Sequence, residues 1–513
     1  MADFNESLRE CRELILAQDH PQPEWWRPGL ELEQALSEMS FRGLPVSATL
    51  TDLLSAILIR RQVSRGLRPF LKAWVRRLYH RMRGVGRAVT EAEILRQGRG
   101  KVLIGQITNR PHAAQWAPDL VRLLGASSCH VMTDNRMVVD GLADDTTSSS
   151  WGALPTLPHA AWRRDYRRCR RVWTRHLSSF AMHHGLSRAD VLTFEDTLFV
   201  TTQRCVQMGA YLDLTKPCAV LVDYDRNVRA SSLVLAARAR NIPTLTLVHG
   251  VINSPFGYTP FLAHHVLCWG AAQRRQIEAL ATPAERIREV GYHLMDGEIT
   301  ADRDSVRRSA GVGHDEPVVL LATNPVCGSD RQRLAEVFCE AVRRIPRAHA
   351  FLRVHPSEKT TDYDFIDRSR YDLTCVSDAE LSADESLALS DAVVVHSSGF
   401  GTEAMAKRRP CVVLDAIDSP LGNGRVLAEK AGVPRVESAE ELAGVLTRCF
   451  DNGAYRDDLI RRGRAHAHEV FGVFRPETTR NIARAVLDAC QGGNGGSPHS
   501  VAHPSSRQTG QVK

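Results

Sequence analysis

Four short stretches of this 513-residue chain carry side chains that could do chemistry. Residues 392–415, AVVVHSSGFGTEAMAKRRPCVVLD, read as a buried strand, a Ser/Gly turn, a short helix with one early glutamate, and a second buried strand. Hydroxyls from Ser397 and Ser398, with backbone N–H groups made approachable by Gly399, would form an anion site at a helix N-terminus and suit a phosphate. A serine cap on a surface helix gives the same pattern. Glu403 could accept from both hydroxyls of a ribose, or simply complement the helix dipole. FLRVHPSEK sets His355 at a strand end, where Pro356 holds it extended; a donor imidazole there would face a diphosphate. TLVHGVINSPFGY ends another strand at His249, which could act as a base or hold a phosphate. LVDYDRN offers Asp223 and Asp225 as rival bases, although Asp223 could equally cap the helix that follows.

The elements that must position these residues fall into two series. From residue 101, continuous apolar runs alternate with helical stretches: KVLIGQ, HVMT, CAVLVDYD, PTLTLVHG, HHVLCWG and IREVG. A largely helical insertion rich in Arg and Trp interrupts them at about 158–214. After a polar stretch the pattern restarts with PVVLLATN, AFLRVHP, AVVVHSS and CVVLD. Uninterrupted apolar strands separated by helices predict a parallel sheet covered on both faces. The expectation is an α/β chain of two doubly wound Rossmann-like domains facing a cleft, since open sheets of this kind bind ligands at their carboxyl edges. The boundaries expected are a helical, basic N-terminal extension at 1–98, a first domain at 99–296, a second at 297–490 and a disordered tail at 491–513.

Within the extension, helices are expected at 8–18, 31–38, 52–63 and 67–83. Residues 60–87 hold ten Arg or Lys and no acid, with apolar residues at helical spacing. Such a segment suits either an anionic membrane surface or a helix packed on the next domain with a solvated basic face.

The net charge of +7 is modest for this length and does not argue for nucleic acid. The twelve cysteines form no C-x-x-C pair and read as small buried hydrophobes in a reducing compartment. No apolar run reaches membrane-span length, and the first thirty residues are too charged for a signal peptide, so a cytoplasmic protein is expected, at most peripheral on the inner face of a membrane. There is no G-x-x-x-x-G-K-[ST] loop, no H-E-x-x-H and no metal-like Cys/His cluster. The first domain also lacks G-x-G-x-x-G after its first strand, which speaks against a dinucleotide oxidoreductase.

Taken together, VHG, YTPFLAHHVLCWG, IREVGYHLMDG, RVHPSEK and VVHSSGFGTEAMAKRRPCVVLD resemble the GT-B glycosyltransferase superfamily in its capsule and surface-polysaccharide branch, which includes polysialyl- and Kdo-type capsule transferases and CDP-glycerol glycerophosphotransferases. The resemblance covers about 190–435, is weaker over 101–185 and is absent from 1–98. It implies a nucleotide-sugar donor held by the second domain, with His355, Ser397, Ser398 and Gly399 on its phosphates, Thr323 and Asn324 lining the same pocket, and Glu403 on the ribose. It implies His249 as base or phosphate contact, no cofactor and no metal, and a glycan or lipid-linked acceptor on the first domain. The family's G-N-P-R-F-D element stands here as GYHLMDG, keeping Gly291 and Asp296 but not the Asn-Pro. Non-hydrolysing UDP-GlcNAc 2-epimerases share the architecture and a similar turn carrying two glutamates, where this chain has one. A non-catalytic partner in polysaccharide assembly, resting on the basic N-terminal segment, is the third reading.

Overall fold

The computed structural model describes residues 41–46, 50, 87–108, 114–155, 159–183, 186–250, 252, 258, 261–280, 282–324, 326, 328–356, 358–417 and 424–492. The four helices expected before residue 87 lie outside the described residues, as does the expected tail apart from Gln491 and Gly492, which end the last helix.

Strand β1 (Arg87–Val89) leads into the first domain. Strands β2 (Val102–Gln106), β3 (Cys129–Thr133), β4 (Thr147–Ser149), β6 (Ala219–Val222), β7 (Thr244–Leu247), β8 (His265–Cys268) and β9 (Ile287–Glu289) form a parallel sheet in the order β4-β3-β2-β6-β7-β8-β9, while β5 (Ala153–Pro155) pairs with β1 apart from it. Every residue of β2, β3, β6 and β7 is buried. The cause is visible in the side chains: alternate residues enter opposite layers, so both faces need apolar cover. Leu103, Met132, Val220 and Val222 pack with helices α2 (His159–His183), α3 (Arg188–Thr215) and α4 (Val228–Arg238). Val102, Ile104, Val131 and Leu221 face α1 (Trp116–Leu124) on the other side. The Arg- and Trp-rich insertion is thus a helical hairpin, α2 and α3. Ser187 starts its second arm with a capping box to Asp190.

After β10 (Tyr292–Asp296), strands β11 (Val318–Ala322), β12 (His349–Arg353), β13 (Leu373–Val376), β14 (Ala392–Val395), β15 (Cys411–Leu414) and β16 (Arg435–Val436) form a second parallel sheet, ordered β13-β12-β11-β14-β15-β16. Helix α5 (Gly328–Arg343) covers one face, and α6 (Phe400–Ala406) with α7 (Gly453–Phe471) the other. Both sheets share one winding rule: the strand order reverses once, between β2 and β6 in the first and between β11 and β14 in the second. Ligand crevices open at such reversals, outside the carboxyl ends of the strands.

The halves are joined by more than the chain. Strand β17 (Phe474–Arg475) pairs with β10, and α8 (Glu477–Gly492), grouped by sequence with the second domain, crosses back to the first. Its Ile482, Ala485 and Val486 pack with Val102, Ile104, Leu120 and Val121, and the Cys490 thiol lies 2.7 Å from that of Cys218. At the junction Tyr292 stacks on Phe471 with ring centres 4.1 Å apart and meets Trp269 edge-on at 4.6 Å. Gly291, at φ +101°, admits the Val473 carbonyl 2.5 Å from where a Cβ would stand, so a side chain is excluded there. No described helix is long and apolar enough to cross a membrane.

Candidate functional site

The second sheet brings four of the expected residues together as two hydrogen-bonded pairs at its carboxyl edge. Strands β12, β11 and β14 are neighbours, so the residues just after them, His355, Thr323, Asn324 and Ser397, are neighbours too. The Thr323 hydroxyl accepts from the His355 amide at 2.8 Å and donates to Glu358 Oε2 at 2.6 Å. Asn324 Oδ1 accepts from the Ser397 amide at 3.2 Å, bridging the reversal itself. Ser398 Oγ accepts from the Phe400 amide at 3.4 Å, and Gly399 takes an ordinary right-handed helical conformation before the seven-residue α6.

These contacts reassign some of the expected roles. Thr323 is buried and its hydroxyl has both a donor and an acceptor partner, so it positions the His355 backbone instead of lining a phosphate pocket. The Ser397 amide donates to Asn324, and the Asn324 NH2, the Ser397 and Ser398 hydroxyls and the half-buried His355 imidazole are the side-chain polar groups after these strands.

Glu358 was not legible as a functional residue. Its side chain is only 2 % exposed, and it gathers Thr323, Arg331 Nε at 3.0 Å and the Tyr363 hydroxyl at 3.1 Å. In the sequence it sits in PSEK, where a lone acid in a polar loop looks solvated. Tyr292 was also passed over: its hydroxyl donates to Glu403 Oε1 at 2.5 Å. Burial, and then the adjacent carboxylate, push the Tyr292 phenol well above its ordinary value, so it stays a donor. Glu403, half-buried, therefore has one oxygen tied to the interdomain strand β10.

The first-domain residues divide differently. His249 follows β7 between two tyrosines, with the Tyr224 ring centre at 4.1 Å and the Tyr258 ring nearly parallel at 5.0 Å. Trp269 Nε1 donates to the Val248 carbonyl at 2.8 Å and Gln273 Nε2 to that of Gly250 at 3.1 Å, fixing the backbone on both sides. A Cβ on Gly250 would stand 2.5 Å from the Tyr258 hydroxyl.

Asp223 and Asp225 do not join His249 as exposed bases. Each is 1 % exposed. Asp223 accepts from the Ile107 and Thr108 amides at 2.8 and 2.9 Å, and Asp225 from those of Leu262 and Ala263 at 2.6 and 2.9 Å. Burial pushes both carboxyls up from the ordinary value, against the pull of these amide bonds. Their observed work is to tie loops to the end of β6. Among the described residues no group of three or more His, Cys, Asp or Glu is placed to hold a metal ion.

No protein-family model matches the sequence, and no curated protein is similar to it. Solved structures are. A Listeria monocytogenes protein described as a UDP-N-acetylglucosamine 2-epimerase superposes with a TM-score of 0.50 at 15 % identity, over 77 % of this chain and 97 % of that one. MnaA of S. aureus, solved with UDP, gives 0.49 at 16 % identity over 78 % and 100 % of the two chains. A glycosyltransferase from Rickettsia africae gives 0.47 at 12 % identity over 78 % and 100 %. At such identities the likeness concerns the fold: two Rossmann-like α/β domains in the GT-B arrangement, as the sequence pattern predicted.

Proposed function

We propose that the protein is a nucleotide-sugar enzyme, and within that class a glycosyltransferase moving a sugar or polyol phosphate from a nucleotide-activated donor to a glycan or lipid-linked acceptor in surface-polysaccharide synthesis. The observation that carries this reading is the convergence of His355, Asn324 and Ser398 at the β11/β14 reversal, a polar donor set where a doubly wound sheet takes its ligand. The likeness to the Listeria protein described as a UDP-N-acetylglucosamine 2-epimerase supports a nucleotide-sugar ligand.

In this scheme the donor phosphates receive hydrogen bonds from the His355 imidazole, the Asn324 amide group and the Ser398 hydroxyl. Charge developing on the leaving group is thereby stabilised by groups already in place, and the scheme calls for no metal or other cofactor. Glu403 takes the ribose through Oε2 while Tyr292 fixes Oε1. An acceptor hydroxyl attacks from the first domain, with His249 accepting its proton, because Asp223 and Asp225 are engaged by backbone amides.

A thermal-shift panel of UDP-, CMP-, CDP- and GDP-linked donors tests the first step, since a ligand that binds only the folded state raises its melting temperature. One nucleotide class should stand out, and His355→Ala should remove its shift; no shift with any donor would sink the reading. The epimerase alternative is favoured by the Listeria likeness, and incubation with UDP-GlcNAc alone decides for it if ManNAc appears.

A further inference from the structure

Helix α2 carries seven arginines and one acid in 25 residues. Trp162, Tyr166, Trp173, Leu177 and Phe180 are buried against the first domain. Arg163, Arg164, Arg167, Arg168, Arg171 and Arg175 are exposed. At 100° per residue these six fall within an arc of about 140°, opposite the buried stripe, along about 18 Å of axis. Arg170 alone of the seven pairs with an acid, Glu195 at 3.5 Å, and the helix's own acid, Asp165, is occupied by Arg42 at 2.7 Å. The six therefore form a stripe of one sign with no ion-pair partner among the described residues. Val172 at 47 % and Met182 at 82 % exposure add apolar side chains to the outer surface of this helix.

The hairpin also stands in a particular place. Thr215, ending α3, accepts from Gly100 beside the start of β2, while Arg204 bonds the Trp151 carbonyl, and Trp151 in turn bonds Gln106 at the end of β2. The α3 residues before 204, about 24 Å of helix axis, and the part of α2 tied to them through Thr174 and Glu195 continue past the point where Arg204 meets the Trp151 carbonyl.

We propose that this arginine face docks the protein on an anionic lipid surface. Charge complementarity selects an anionic partner. A straight stripe with exposed aliphatic side chains and every aromatic turned inward suits a headgroup plane; single-stranded nucleic acid would call for aromatic stacking surfaces, and this face has none. The sequence adds that the basic segment 60–87 ends at Arg87, which pairs with Ala153 in the strand leading into α2. This inference does not rest on the donor reading, and the two can fail separately.

The test is co-sedimentation of the full chain with phosphatidylcholine vesicles, with and without phosphatidylglycerol, at low and high salt. The parent protein should bind the phosphatidylglycerol vesicles and release in salt. Combining Arg167→Ala, Arg168→Ala, Arg171→Ala and Arg175→Ala should weaken partitioning on the order of a hundredfold or more, at roughly fivefold per arginine, with the melting temperature held; the corresponding four lysine substitutions should restore most of it. On the parent protein itself, vesicles should protect the same arginines from phenylglyoxal, a readout independent of whether the variant folds. Undiminished vesicle binding by the alanine variant, or unprotected arginines, would overturn the proposal. Loss of retention on immobilised heparin with vesicle binding intact would overturn it too, and give the face to an acidic glycan.

Discussion

At the β2/β6 reversal of the first sheet, Asp223 reaches across and holds two amides of the loop after β2, so the crevice is closed by a buried carboxylate. At the β11/β14 reversal of the second, the crossing contact is one neutral hydrogen bond from Ser397 to Asn324, and the carboxylate lies deeper, as Glu358 behind Thr323. Two sheets with the same winding thus use their acids in opposite ways. One acid seals the ligand position; the other braces the strand ends and leaves polar groups at the mouth. The comparison teaches that strand order supplies a place for a ligand, and the local carboxylate decides whether the place stays open.

Asp223→Ala should have the largest effect on this picture. It strands two buried amides, and stability should fall by roughly 3–5 kcal/mol in denaturant titration. If the melting temperature barely moves while turnover vanishes, the seal is a catalytic base and the contrast collapses. Glu358→Gln should cost about 2 kcal/mol by loss of the charged bond to Arg331, and should weaken donor binding through the shifted His355 backbone. A stability loss with donor affinity intact would separate the brace from the site.

His355→Ala, at a half-buried position, should lower donor affinity about tenfold to a hundredfold by calorimetry with little change in stability. Equal loss of both would make it a structural residue like Asp223. Tyr292→Phe removes one hydrogen bond to Glu403 and should lower stability by about 1 kcal/mol; it would sharpen the comparison if donor affinity also falls, because Glu403 then loses its fixed orientation.

The smallest effect is on pH. Burial raises the folded-state value of Asp223 above 3.8. Between those two values the native state binds more protons than the unfolded chain, so this group's contribution to stability declines as pH rises through the window. The stability gap between the parent protein and Asp223→Ala should accordingly widen on acidification from neutrality toward the ordinary carboxylate range. A gap that narrows would mean that the amides hold the carboxyl down.

The two sheets were legible because burial on both faces writes itself as continuous apolar runs. PVVLLATN, AVVVHSS and CVVLD contain β11, β14 and β15 and overrun them at the carboxyl end by two, three and one residues. The strand-end residues were legible for a related reason: His355, Ser397 and His249 are where each run breaks into polar residues. What could not be read was which polar atom each would meet. Glu358 lies 35 positions from Thr323, and Asp223 lies 116 from Ile107. A periodicity argument sees one strand at a time, whereas these contacts depend on which strands the winding makes neighbours. Asp223 and Asp225 read as candidate bases at a strand end for the same reason: the loops that cover them are supplied by distant parts of the chain.

Helix α8 imposes an order of assembly in the cell. Ile482, Ala485 and Val486 fill part of one face of the first sheet, so the domain whose strands are translated first lacks part of its core until residue 486 has been made. From the end of β9 at residue 289 to Cys490 is about 200 residues, or on the order of 10–40 s of synthesis at 5–20 residues per second. Through that interval the α1 side of β2, β3 and β6 has α1 but lacks the part of its cover that α8 supplies. The second domain, whose strands all end before α8 begins, can close while the ribosome is still at work. Of the two sheets, the one made first is the one completed last, and a chain stopped short of residue 477 would present the part of that sheet's face that α1 leaves uncovered to the chaperones that meet nascent proteins.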